Sequence, residues 1–127
     1  MKDTHRTFDL EERLINFASS IIKLAELLPQ TFAGRHMAGQ MIRSGTAPAL
    51  HYGEAQGAES RRDFIHKMKV GLKELRETFN ALRIVKIAKW LSADKLDPVL
   101  NENNQLISIF VTSLTTAVRN DENGKKN

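Results

Sequence analysis

Cysteine is absent from the 127 residues. That excludes disulfides, thiolate metal centres and cysteine nucleophiles, and it fits a reducing compartment. No run of about 18 apolar residues is present, so no membrane-spanning helix is expected. The first ten residues are polar and charged, without the apolar core of a secretory signal, and the cytoplasm is the expected location. Aromatics are scarce, at six Phe, one Tyr and one Trp. Phe17, Phe64, Phe79 and Phe110 fall on apolar seams and read as core, which leaves little for a base-stacking platform. There is no glycine-rich phosphate loop and no serine elbow. Ser44 and Ser60 read as helix and cap residues, and Glu54 and Glu74 as salt-bridge partners of Arg43 or Arg61. No catalytic residue and no cofactor are expected.

What is present is helical periodicity. A first helix is expected from about Asp9 to Leu28, with Asp9 as N-cap and Glu11 and Glu12 in the first turn, where the helix dipole favours acids. Its seam is Leu10, Leu14, Phe17, Ile21, Leu24 and Leu28, widened by Ile15, Ala18, Ile22 and Ala25 to more than one packing face. Pro29 ends it. A second helix is expected from about Ala33 to Gln56, kinked at Pro48 or divided there. A third is expected from Ser60 to Leu91, with Ser60 as N-cap. A fourth is expected from Asp97 to Arg119, with Asp97 as N-cap, Pro98 in the first position and Asn103 as the one polar member of its seam. The expected fold is therefore all-α, an antiparallel up-down-up-down four-helix bundle over residues 9–119. A flexible arm is expected over 1–8 and a disordered tail over 120–127.

Charge is uneven. The formal net charge is +4. Between Arg61 and Lys89 nine bases face three acids, a local balance of +6, while the remainder carries ten bases and twelve acids, or −2. Arg62, Lys69, Lys73, Arg76 and Arg83 share one helical face. A row of cations at this spacing can follow phosphates and gain affinity by counterion release. The competing reading is a solvated face on which Lys73 pairs with Glu77, and Lys67 or Lys69 with Glu74 or Asp63.

Gly45, Pro48, Ala49 and Gly53 stand inside the second helix, where Gly and Pro cost about 1 and 3 kcal/mol. A bend, or close approach of a neighbouring helix or subunit, would offset that cost. His51 and Glu54 share a face, with His66 available from the next helix. One His-x-x-Glu pair is too little for zinc, and no metal site is expected. A histidine at a repeated interface would make assembly pH-sensitive.

The tract Arg43-Ser44-Gly45-Thr46-Ala47-Pro48-Ala49-Leu50-His51-Tyr52-Gly53-Glu54, followed by Ser60-Arg61-Arg62-Asp63-Phe64-Ile65 and Leu72-Lys73-Glu74-Leu75, resembles a bacterial family. It is the four-helix-bundle family named for reading frames in intervening sequences of 23S rRNA genes. That family is similar in turn to the accessory variability protein of diversity-generating retroelements. The resemblance covers about Phe8 to Arg119. It implies a homo-oligomer, with a ring-like homopentamer favoured. In the retroelement branch it also implies a basic surface that binds nucleic acid, RNA or DNA, and a reverse transcriptase as partner; the intervening-sequence branch implies no particular biochemical role. The sequence departs from the pattern at His51, where the family often has Asn, and at Gly53, where it often has Ala. Two functions follow as expectations: a non-catalytic nucleic-acid-binding module working through Arg62, Lys69, Lys73, Arg76 and Arg83, or a scaffold that recruits a protein partner. Gly45, Pro48, Ala49, His51 and Gly53 are the expected interface or kink residues.

Overall fold

The computed structural model describes residues 9–126, with the backbone alone for the last two. The arm expected over residues 1–8 lies outside the described residues. Four helices follow in order: α1 (Leu10–Ala25), α2 (Phe32–Gln56), α3 (Arg61–Ile87) and α4 (Ala93–Lys126). Among the described residues there is no strand, so the fold is all-α with four helices. Each helix packs on its sequence neighbours, and α1 also packs on α4. Between α2 and α3 the contacts Ser44–Thr78 and Glu54–Lys67 rise on one helix as they fall on the other, so the two run in opposite senses. The same holds for α3 and α4, through Arg61–Asn120, Gly71–Phe110 and Lys86–Asp97.

Helix ends follow local chemistry. Asp9 holds the expected N-cap position of α1, where its carbonyl accepts from the Arg13 N–H at 3.1 Å, but its carboxylate makes no cap bond. α1 stops at Ala25 rather than Leu28. The next residues form a tight turn, with Leu28 N–H donating to Ala25 O at 3.2 Å, which tucks Leu28 into the core ahead of Pro29. α2 is capped by Thr31, whose Oγ1 accepts from Gly34 N–H at 3.0 Å. It passes through Pro48 as one unbroken helix. Ser60 caps α3 as expected, its Oγ accepting from Asp63 N–H at 3.1 Å.

α3 ends four residues short of Leu91. Lys89 adopts φ 61°, the left-handed conformation that turns the chain out of the helix. Trp90 N–H then reaches back to Val85 O at 3.3 Å, and Lys89 N–H to Lys86 O at 3.1 Å. This is the Schellman pattern, with lysine where glycine is usual. α4 begins at Ala93, so Asp97 is not its cap and Pro98 lies in the second turn. Burial of Leu96 explains the earlier start: its N–H and that of Lys95 both donate to Ser92 O at 3.1 Å, bringing the residue into the helix and the core. At the other end α4 continues past Arg119 to Lys126. There Arg61 Nη1 donates to Asn120 O at 2.7 Å, tying the extra turn to α3.

The core contains Leu14, Phe17, Ile21 and Leu24 from α1, Met41 from α2, Met68, Leu75, Leu82 and Val85 from α3, and Leu106, Phe110 and Leu114 from α4. The expected seams supply most of it. Phe64 is half-buried against this core, and Phe79 is half-buried, so neither is sealed in it as expected. Two close approaches set helix spacing. A Cβ on Gly45 would stand 2.7 Å from Ile21 Cγ2, and one on Gly71 would stand 2.8 Å from Phe110 Cε2.

Candidate nucleic-acid interface

α3 carries the basic row. Its apolar residues Met68, Leu75, Leu82 and Val85 turn one side into the core, which leaves the opposite side to solvent. Arg62, Lys69, Lys73, Arg76 and Arg83 all lie on that exposed side. Arg62, Lys69, Arg76 and Arg83 recur every seven residues, so they drift only about 20° per step around the helix. From the first to the last, the row extends about 32 Å along the axis.

None of these five cations forms an ion pair among the described residues. Arg83 Nη1 makes only a long bond of 3.5 Å to Asn80 Oδ1. The pairings of the solvated reading do not form. Glu74 and Glu77 turn toward α2, where Arg43 takes both. Its Nη1 lies 3.1 Å from Glu74 Oε2, and its Nη2 bonds Glu77 Oε2. Gln40 Oε1 accepts from the same Nη2 at 3.2 Å. Lys67 pairs across the helix gap with Glu54 at 3.1 Å instead of with an acid of its own helix. Lys86 pairs with Asp97 at 2.7 Å. Asp63 remains at the helix start beside its cap. The acids of the basic segment are thus drawn off the exposed side, and what remains there is cationic.

Glu54 is held below the ordinary carboxylate range, first by the hydrogen bond and charge of Lys67, with a smaller contribution from His51. His51 Nδ1 lies 3.6 Å from Glu54 Oε1, is shielded from solvent and has no hydrogen-bond partner. His66 is exposed on α3. Among the described residues no three His, Cys, Asp or Glu side chains group as a metal site.

The residues expected at an interface or kink separate. Gly45 and Pro48 are buried within the protomer, and Gly45 is explained by Ile21 of α1. Ala49 and His51 are half-buried. Gly53 is exposed, and no atom lies within 4 Å of where its Cβ would be. Tyr52 stacks tilted on Phe110, with centroids 6.3 Å apart, and burial pushes its phenol up. Neither ring is free for a base. An open cleft of about 740 Å³ at one end of the helices is lined by Ala55, Phe64, Arg61, Thr116 and Asn120, and includes none of the five row cations.

Of the expected pairings of Glu54 and Glu74 with Arg43 or Arg61, Arg43–Glu74 forms, whereas Glu54 goes to Lys67; sequence reasoning missed that Arg43 also takes Glu77. Glu74 and Glu77 stand 31 and 34 positions from Arg43, and only the pairing of α2 with α3 brings them together.

Among solved structures, one from Bacteroides thetaiotaomicron VPI-5482 is similar. It is a protein of unknown function from the S23 ribosomal protein family, determined at 1.70 Å. It superposes with a TM-score of 0.78 at 26% identity, covering 83% of this chain and 97% of that one. No curated protein matches. Residues 6–112 match the family described as 23S rRNA-intervening sequence protein, which spans all of α1 to α3 and most of α4. The chain belongs to the 23S rRNA-intervening sequence protein family.

Proposed function

We propose that this chain is a non-catalytic, homo-oligomeric nucleic-acid-binding module of the cytoplasm, and that the exposed side of α3 is its contact surface. The observation that carries the reading is the row Arg62, Lys69, Lys73, Arg76 and Arg83, exposed and without acidic partners among the described residues. Lysine and arginine without aromatic neighbours recognise phosphate and shape more than base sequence. The reading therefore favours structured RNA or duplex DNA over single strands. Assembly as a homopentamer, favoured by the family resemblance, would repeat the row around a ring and multiply its field.

The test is fluorescence anisotropy with labelled structured RNA and duplex DNA between about 50 and about 300 mM salt. Binding should weaken steeply with salt and disappear in Lys69→Glu/Arg76→Glu. Absence of binding by the parent protein at low salt would remove the reading.

The second reading is a scaffold that recruits a partner protein such as a reverse transcriptase, without a direct nucleic-acid role. Its support is the exposed apolar side chains Ile15, Leu50, Phe32 and Ile87, which lie outside the core. Partner capture by the Lys69→Glu/Arg76→Glu variant would favour it.

A further inference from the structure

We infer that Arg43, which lies on α2 and is not itself part of the basic row, is a positioning residue that keeps the row cationic by holding Glu74 and Glu77 off it. This rests on the reading of α3 as a phosphate-binding surface and names a further residue on which that surface depends. Within α3 the acids are Asp63, Glu74 and Glu77. Asp63 belongs to the capped first turn. The other two stand in the middle of the row, one beside Lys73 in sequence and one beside Arg76.

Left to α3 alone, Glu77 would pair with Lys73, four residues earlier, since side chains at that spacing meet on a helix surface. Glu74 would remain next to Lys73 with its charge uncancelled. Arg43 prevents both. Its guanidinium offers a planar fork of donors, and here the two arms reach two carboxylates one helical turn apart, 3.1 Å to Glu74 and in direct contact with Glu77. A lysine offers a compact point charge without the rigid planar fork. The arrangement costs the surface nothing, because Arg43 approaches from the α2 side, where Ser44 and Thr78 already bring the two helices into hydrogen-bonding contact at 2.8 Å.

The comparison that isolates this role is Arg43→Gln against Arg35→Gln. Both variants lower the net charge by one. Arg35 is an exposed α2 arginine whose described bond is to a backbone carbonyl, that of Gln30, so it restrains no acid. Affinity for a labelled RNA duplex, and separately for inorganic polyphosphate, is measured across a salt series. The expected result is that Arg43→Gln weakens binding to both probes about tenfold more than Arg35→Gln does, and lowers the magnitude of the salt slope by about one phosphate contact. Arg43→Gln/Glu74→Gln/Glu77→Gln should recover the parent affinity, because no carboxylate is left to release. That variant also serves if Arg43→Gln fails to fold. Equal losses in the two single variants, or no recovery in the triple variant, would overturn the role of Arg43 while leaving duplex binding in place. If the parent protein ignores the duplex yet holds polyphosphate with the expected dependence on Arg43, the nucleic-acid reading falls and the role of Arg43 stands. If it holds neither probe, both fall.

Discussion

Phe110 brings its ring edge so close to Gly71 that a methyl group added there would stand 2.8 Å from its Cε2. The ring is fully buried and is braced on another side by Tyr52. It cannot retreat without opening the core between α3 and α4. Gly71→Ala should therefore destabilise the protein by about 1–3 kcal/mol, the usual cost of overpacking, even though alanine is the better helix former. Urea denaturation would show this as a lower midpoint with an unchanged slope. A midpoint equal to or above that of the parent would mean that the helices can part without penalty.

Asn103 is fully buried between α4 and α3. With its amide nitrogen toward Leu75 O and its oxygen toward Phe79 N–H, it bonds both at 3.0 Å. This polar residue fixes how α4 registers on α3, as buried asparagines do in paired helices. Asn103→Ala should cost about 1–3 kcal/mol. Asn103→Asp gives the more specific result. An ionised carboxylate has no donor for Leu75 O and is buried, so its folded-state pKa is raised above the unfolded value. Its contribution is then fully present below the unfolded pKa and lost as pH rises through the folded one. The aspartate variant should be most stable in acid and lose stability toward neutral pH relative to the parent, as thermal melts at a series of pH values would show.

Lys89 occupies a left-handed backbone conformation, at φ 61°, in which a Cβ is unfavourable by roughly 1–2 kcal/mol. Glycine fits that position without the clash, at some cost in unfolded-state entropy. Lys89→Gly should raise stability by about 0.5–1 kcal/mol and the melting midpoint by a few degrees. A lower midpoint would show that the lysine side chain contributes more than its backbone costs.

These three sites also mark what the sequence conveys and what it withholds. The seams of α1, α3 and α4 were legible because apolar residues recur every three to four positions, and Asn103 stood out as a polar interruption. Ser60 announced the start of α3 because a cap is a local event. The end of α3 was not legible. Its stop depends on a lysine in the conformation where glycine is usual, and no spacing pattern signals that. The start of α4 was misjudged for a related reason: Asp97-Pro98 is a strong local start, but burying Leu96 outweighed it. The five cations were legible as a row, because their spacing is intrinsic to α3. The pairing of Glu74 with Arg43 was within reach of the sequence, but that the same guanidinium also takes Glu77 off the row was not legible, because it depends on how α2 packs on α3.

Gly39 and Gly53 are exposed glycines inside α2, and a Cβ at either would meet nothing within 4 Å. Each costs the helix about 1 kcal/mol against alanine, and the described protomer shows no close approach that would explain it. Exposed apolar residues stand near them in sequence: Ile42 from the first, and Leu50, 68% exposed, from the second. If subunits meet at this side of α2, a neighbouring backbone uses the space the glycines leave. Gly39→Ala/Gly53→Ala should then stabilise the isolated protomer by about 1–2 kcal/mol while lowering the molar mass of the assembly. Sedimentation equilibrium and thermal melts on the same sample separate the two effects. A higher melting midpoint with an unchanged molar mass would show that no subunit contact uses this side of α2.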